Sequence, residues 1–494
     1  MATIATIKIN FRGGIISPGD LYNILVAAGK AGVSQVKFGL RQQLLIETED
    51  QYLLSKELDI LGIEYEINND DYPNIVSSYP AEEVFINNTW LSEGVYKDIF
   101  DLMDHQPRLK INVSDSNQSF TPLLTGNINW VASPVAQHFW HLFIRFPKTN
   151  IIYEWKDIVY TNDVAKMSKQ IETLILQHGK MLYSDSDIRG DVLYQMVNKE
   201  DYITKPADAS LNFPAFNLPY YEGLNRYNDK YWLGIYRRDE LFTVEFLKDL
   251  CLLCLQTKIG QLCSSPWKSL IIKSIEEKDK QQWTVLLAKY QVNVRHAANE
   301  LNFQVEDNCK EGLELKKYLV RYLSNDDIRT FGICFGIKTR KKSEVYSSIL
   351  IRRRSLMRIG KWSFFHLYDV LCAKDFNPNE RTGTVFSKSN PKALLPEQVR
   401  RAVIAFNTEQ SKRNNLSGKK TIRKENVITV KKEYIHQCVH CLTIYDAAAG
   451  EPLNNIEAGT SFENLPGTFC CSLCEAPKED FVKIEKTKLG LQTV

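Results

Sequence analysis

Four of the eleven cysteines stand as two C-x2-C pairs towards the C-terminal end. Cys438 and Cys441 frame CVHC, and Cys471 and Cys474 frame CSLC. Each C-x2-C can fold into a tight knuckle that presents two sulfurs to one ion, so two knuckles complete an S4 tetrahedron. Tetrahedral sulfur points to zinc or iron. A closed zinc site would be structural, whereas a single iron would carry one electron. Spacing alone leaves both open.

The residues between the knuckles favour iron. Ile444-Tyr445-Asp446 follows the first pair, then Gly450-Glu451-Pro452, Ala458-Gly459-Thr460, Phe462-Glu463-Asn464-Leu465-Pro466 and Phe469. Ala476-Pro477-Lys478 and Phe481 follow the second pair. In this order and spacing the segment resembles rubredoxin. The resemblance implies one mononuclear iron, Fe(3+)/Fe(2+), held by Cys438, Cys441, Cys471 and Cys474. It covers about the last sixty residues. It also has departures: Leu442 and Glu475 replace the family's glycine after each knuckle, Thr443 a tyrosine, and Phe469 a tryptophan. Cys470 adds a thiol beside a ligand. Glycines there let backbone N–H groups approach sulfur, and such hydrogen bonds tune the reduction potential.

The rest of the chain must present this module. With 494 residues, 44% of them apolar, it is long enough for several domains with real cores. No apolar run approaches the roughly 20 residues that span a bilayer. MATIATIKIN lacks a basic start followed by a long apolar stretch, so the expected location is the cytoplasm. Cys251, Cys254, Cys263, Cys309, Cys334 and Cys372 are scattered through apolar segments and read as buried free thiols. Residues 434–494 hold four lysines against eight acidic residues, a net charge of −4, which leaves +7 for the preceding 433. An acidic module suits a basic docking surface. No sustained basic face with interleaved aromatics argues for nucleic acid.

Residues 4–11 alternate as a strand, Arg12-Gly13-Gly14 breaks it, and Ser17-Pro18-Gly19-Asp20 opens a helix carrying Leu21, Leu25, Ala28 and Ala31. Residues 34–47 then read as a returning strand. The pattern recurs as a strand over 231–237, a helix over 243–258 and a strand over 266–273. Leu44-Leu45-Ile46 and Leu270-Ile271-Ile272 take matching places, which sets Arg41 opposite Trp267 and Gln42 opposite Lys268. Such self-similarity predicts two related halves.

Strand, glycine-rich turn, helix and a strand bearing Arg-Gln together resemble the ferredoxin-like half-domain of sulfite and nitrite reductases. Pro107-Arg108-Leu109-Lys110-Ile111 is similar to the basic segment with which that family grips the carboxylates of sirohaem. The resemblance implies Arg41, Arg108 and Lys110 as sirohaem-facing residues. The family's C-x5-C and C-x3-C pairs, which bridge sirohaem to a four-iron cluster, have no counterpart in residues 1–430. The body therefore reads as a degenerate reductase scaffold.

Other segments carry weaker signals. His138 and His141, three apart, would be ligands only if they shared a helix face. Asn127 reads as a turn residue and 331–337 as a short buried strand. Lys338, Arg340, Lys341, Lys342, Arg352, Arg353, Arg354, Arg358 and Lys361 form a basic run that suits an acidic partner or an anionic cofactor. Residues 394–406 read as one short helix, and 407–433 have the composition of a flexible tether.

The expected fold is α+β: a duplicated ferredoxin-like, sirohaem-reductase-like body with a small C-terminal rubredoxin-like metal domain. Its parts are a first half-domain (1–100), a reductase-like layer (101–225), a second half-domain and layer (226–375), a polar basic linker with a short helix (376–433) and the metal domain (434–494). The expected function is one-electron transfer through a single iron. The body would serve as a docking platform in nitrite or sulfite assimilation, and the partners would be redox proteins, among them a nitrite or sulfite reductase. Electron transfer is preferred over catalysis. The rival readings are a sirohaem-dependent reductase with a fused donor and a non-redox zinc scaffold.

Overall fold

The computed structural model describes residues 4–85, 89–184, 187–207, 210–340, 345–359, 362–380, 383–420, 434–451, 454 and 456–485. Two compact units divide the chain, Met1–Glu409 and Gln410–Val494. Among the described residues no helix is long and apolar enough to cross a membrane.

The first unit opens with strand Ala5–Ile9, a short strand Ile15–Ile16 and helix Pro18–Lys30. Ser17 Oγ accepts from the Asp20 N–H and Pro18 occupies the first turn, so the helix starts where its capping residues place it. The returning segment is a hairpin, not the single strand expected over 34–47: Gln35–Phe38 turns at Gly39–Gln43 into Leu44–Thr48. Gln42 occupies the left-handed position of this turn, at φ 63°. Sequence reasoning looks for glycine or asparagine there and so missed the bend.

The second half repeats this plan. Strand Lys230–Ile235, short strand Phe242–Thr243, helix Val244–Gln256, strand Leu262–Ser264 and strand Leu270–Ile275 follow in the same order. Its turn also repeats in detail. The Gly39 N–H donates to Gln43 O at 2.8 Å and the Gln42 N–H to Gly39 O at 3.0 Å. The Ser265 N–H donates to Ser269 O at 2.9 Å and the Lys268 N–H to Ser265 O at 3.0 Å. Lys268, like Gln42, is left-handed, at φ 57°.

The two halves exchange edges. Ile15–Ile16 pairs antiparallel with Leu262–Ser264, and Phe242–Thr243 pairs with Gln35–Phe38. Each five-stranded sheet therefore ends on a strand from the other half. Both helices bury their apolar faces in one core, where Leu21, Ile24, Leu25 and Ala28 share a cluster with Leu247, Leu250, Cys251 and Cys254. Gly14 sits where the halves meet: it has φ 77°, and a Cβ there would lie 2.6 Å from Ser264 O. Only glycine tolerates that approach.

Between and beyond the halves lie two further sheets. The seven-stranded sheet runs Thr204–Pro206, Asp157–Tyr160, Phe139–Arg145, Ile128–Ala132, Ile111–Ser114 and Val76–Ser77, with Ile152–Glu154 added to Phe139–Arg145. The other sheet orders Phe303–Val305, Phe335–Lys338, Ile349–Ile359, Trp362–Ala373 and Gly383–Asn390. Part of the stretch expected as a linker is thus an edge strand. The helix expected over 394–406 runs from Leu395 to Lys420. Leu395, Val399, Ala402, Val403 and Phe406 anchor its start in the core of the last sheet. Residues 421–433 of the expected tether lie outside the described residues.

Gln42 joins three layers. Its side-chain amide donates to Ser77 O (3.1 Å) and Ser264 O (3.0 Å), and its carbonyl accepts from the Ser77 N–H (2.8 Å), all buried. An orphaned buried polar group costs about 1–3 kcal/mol. Gln42→Ala is expected to lower stability by about 2–4 kcal/mol on that basis, read as a lower urea midpoint for the full chain.

Candidate metal centre

Three short strands frame the second unit. Tyr434–Cys438 pairs antiparallel with Phe481–Glu485 on one side and with Ile444–Tyr445 on the other. The first strand thereby ends on a ligand, Cys438, directly opposite Phe481. Tyr445, Leu465, Phe469, Ala476 and Phe481 form the core beneath the cysteines, with Phe462 against it. The Phe469 and Phe481 rings meet at 5.5 Å and those of Tyr445 and Phe469 at 5.8 Å. Phe469 thus fills the place that tryptophan takes in the family this segment resembles. Lys478 ties the second knuckle to the middle loop by donating to Leu465 O (2.8 Å) and Glu463 O (3.2 Å). Pro452 lies outside the described residues.

The four sulfurs of Cys438, Cys441, Cys471 and Cys474 lie within 4.8 Å of one another. Cys438 Sγ is 3.6 Å from Cys474 Sγ, and Cys441 Sγ is 3.4 Å from Cys471 Sγ. A tetrahedron with metal–sulfur bonds of about 2.3 Å has edges of about 3.8 Å, so the arrangement fits one ion. Among the described residues it is the one grouping of three or more metal-ligating side chains. Cys470 lies outside the cluster, and its carbonyl accepts from Asn454 Nδ2 at 3.0 Å.

The two knuckles have the same backbone pattern. The Leu442 N–H donates to Cys438 O (3.0 Å) and the Cys438 N–H to Thr443 O (2.9 Å). The Glu475 N–H donates to Cys471 O (2.9 Å) and the Cys471 N–H to Ala476 O (2.8 Å). Leu442 and Glu475 are left-handed, at φ 64° and 60°. The turn that glycine would adopt without strain is therefore kept by residues with a Cβ. The site is also graded in depth: Cys438 and Cys471 are buried, Cys441 is half-buried and Cys474 is exposed. Side-chain and backbone hydrogen bonds to Thr443 hold the Cys441 thiol well below its usual value, at about 6.

The body's candidates separate. A polar cavity of about 670 Å³ is lined by Arg41, Lys110, Arg145, Lys338 and Arg340, with Asp70, Glu306 and Asp307 among them. Arg41 is buried, and its guanidinium donates to Asn74 O (2.7 and 3.0 Å) and Ile111 O (3.0 Å). Burial lowers its pKa to about 10. Arg108 is exposed and is not part of this lining. Asn127 does line the cavity, and its side chain accepts from the Lys110 N–H at 3.2 Å. Sequence reasoning missed Arg145, Asp70, Glu306 and Asp307, which come from distant parts of the chain.

The other expectations resolve locally. His138 sits in a turn at φ 62° and His141 on the strand Phe139–Arg145, so they share no helix face. The basic run is split. Lys338 and Arg340 reach the cavity, while Arg352 (3.0 Å) and Arg354 (2.7 Å) pair with the buried Asp369 and Arg353 pairs with Glu311. Lys341, Lys342 and Lys361, and the Arg358 side chain, lie outside the described residues. The six cysteines of the body are all buried. Desolvation raises the thiols of Cys251, Cys263, Cys334 and Cys372 to about 12.

The rubredoxin family model matches residues 435–481. Rubredoxin-2 of Chlorobaculum tepidum is 48% identical over 48 residues, which are 10% of this chain and 92% of that protein. Rubredoxin-1 of Pseudomonas putida is 43% identical over 53 residues, 11% of this chain and 30% of that relative's length. The solved structure of the Mycobacterium tuberculosis NirA protein has a similar fold, with a TM-score of 0.60 and 13% identity. That likeness covers 81% of this chain and 80% of the other, and so takes in the body. A single mononuclear iron is the metal that this domain and its four cysteines support.

A left-handed residue with a Cβ carries roughly 1 kcal/mol of strain that glycine relieves, less the extra entropy glycine has when unfolded. Leu442→Gly and Glu475→Gly are each expected to raise the stability of the apo second unit by about 0.5–1 kcal/mol. Denaturant unfolding of the metal-free full chain, followed through the aromatic signal of that unit, checks this.

Proposed function

Because the chain belongs to the rubredoxin family through residues 435–481, we propose that it is a one-electron carrier in a cytoplasmic nitrite or sulfite assimilation system. The observation that carries the reading is the S4 cluster graded from buried Cys438 and Cys471 to exposed Cys474. When bound there, a single iron supplies one-electron exchange between its ferric and ferrous states. The four sulfurs complete its coordination and leave no position for substrate, so the module passes electrons and does no bond chemistry. Phe469, Phe481, Tyr445 and Leu465 close its inner side against water. The exposed Cys474 brings one ligand sulfur to the surface, where a redox partner can approach.

In this reading the body is a docking platform for the partner. Its support is the fold likeness to NirA and the basic side chains around the cavity. Sirohaem is the group that this fold suggests for the cavity. A macrocycle with many carboxylates needs a lining of available cations. Here Arg41 is committed to backbone carbonyls, Arg108 lies elsewhere, and Asp70, Glu306 and Asp307 set carboxylates among the bases. No cysteine lines the cavity among the described residues. These residues do not fit the group, and no catalytic step is assigned to the body.

The purified full chain is expected to hold one iron, to be red in air and to bleach with one electron from dithionite. A colourless chain carrying one zinc would overturn the electron-transfer reading. Absorption bands of a tetrapyrrole would favour the reductase reading instead. Cys470→Ser is expected to keep full iron content, whereas Cys474→Ser is expected to lose the native spectrum.

A further inference from the structure

The two knuckles match in backbone hydrogen bonding, and among their side-chain differences one bears on a ligand sulfur. Two residues beyond Cys441 stands Thr443, whose Oγ1 lies 3.0 Å from Cys441 Sγ. Two residues beyond Cys474 stands Ala476, which has no donor on its side chain. The equivalent carbonyls of both residues accept from the first cysteine of their own knuckle, at 2.9 and 2.8 Å. The same turn is thus built twice, and only beside Cys441 does a hydroxyl stand two residues beyond its second cysteine.

The direction of the hydrogen bond follows from the chemistry of the loaded site. A metal-bound thiolate has no proton, so the Thr443 hydroxyl must be the donor and Cys441 Sγ the acceptor. Left-handed Leu442 turns the chain so that Thr443 comes back over the sulfur. The β-branch of threonine restricts χ1 and holds the hydroxyl in place with little loss of entropy. Hydrogen bonds to ligand sulfur stabilise the electron-richer state of an iron–thiolate centre and so raise its potential.

We propose that Thr443 is a potential-setting residue of the metal centre: its hydroxyl donates to the Cys441 thiolate and makes Cys441 electronically distinct from its counterpart Cys474. This rests on the iron reading of the site. It adds a side-chain donor to the backbone N–H groups that the fold provides, at a position where the family this segment resembles carries tyrosine. The fold itself does not need the hydroxyl, because the knuckle is closed by the Thr443 carbonyl.

Thr443→Val keeps the shape and the carbonyl and removes the donor. In the iron-loaded full chain, the ratio of reduced to oxidised protein at a fixed poise is expected to fall about tenfold, equivalent to about 59 mV for a one-electron couple. The sulfur-to-iron charge-transfer bands are expected to move to longer wavelength, because an unbonded thiolate is a better donor. Thr443→Ser, which retains the hydroxyl, is expected to restore most of both. An iron-loaded Thr443→Val chain with unchanged potential and bands overturns the inference while leaving the iron reading intact. A wild-type chain that takes up zinc and no iron overturns the iron reading and this inference with it.

Discussion

A tight turn closed around a left-handed residue recurs wherever this chain must bring distant groups together. In the metal domain, Leu442 and Glu475 let each knuckle double back so that two sulfurs face one point. In the body, Gln42 and Lys268 do the same for the two hairpins. All four carry a Cβ in a conformation that costs L-residues roughly 1–2 kcal/mol. The compensation differs in kind. In the knuckles, backbone hydrogen bonds at 2.8–3.0 Å close both turns, and four sulfurs are brought into range of one ion. In the hairpins, the side chain itself is the reason. Gln42 reaches Ser77 and Ser264, and Lys268 pairs with Glu240 at 2.6 Å and Asp307 at 3.3 Å. Glycine would relieve the strain there and remove the bonds between layers.

How much of this was legible in the sequence follows from how local each feature is. The metal centre was readable because a C-x2-C pair is its own geometry, and the aromatic and glycine positions between the pairs are fixed by the loop they build. The duplication was readable because the two helices carry the same apolar spacing behind the same kind of strand. The hairpin at 39–43 was not, since Gln42 gives no turn signal. The edge exchange between Ile15–Ile16 and Phe242–Thr243 was not either, because two-residue strands have no period and their partners lie more than two hundred residues away. The long helix was underread for a related reason. Residues 407–420 are polar, as a tether is, yet they contain no proline, and their one glycine, Gly418, comes near the end, so nothing stops a helix that the core has already started.

Charge explains why the basic run at 338–361 misled as a single patch. Alternation along the strand Ile349–Ile359 sends Arg352 and Arg354 to one side, where they jointly neutralise buried Asp369, and Arg353 to the other, towards Glu311. Burial by itself would push the Asp369 carboxyl up, but the hydrogen bonds from the Ser389 N–H and the two arginines hold it below the usual carboxylate range. These arginines are therefore part of the internal structure of the sheet. Lys338 and Arg340 lie at the wall of the cavity.

The division of labour between the units follows from what their sulfurs can do. Thiols buried in apolar surroundings stay protonated, and in the body Cys251, Cys263, Cys334 and Cys372 are raised by desolvation. They serve as small apolar side chains. The tail cysteines are instead gathered at one site. Hydrogen bonds to Thr443 favour the Cys441 thiolate, and the four sulfurs stand at tetrahedral spacing, so binding a metal needs little rearrangement and releases the remaining protons. An ion held by all four sulfurs would exchange electrons without ligand rearrangement. A rubredoxin domain joined to a large body with the fold of the NirA protein is the division that this distribution of sulfur accompanies.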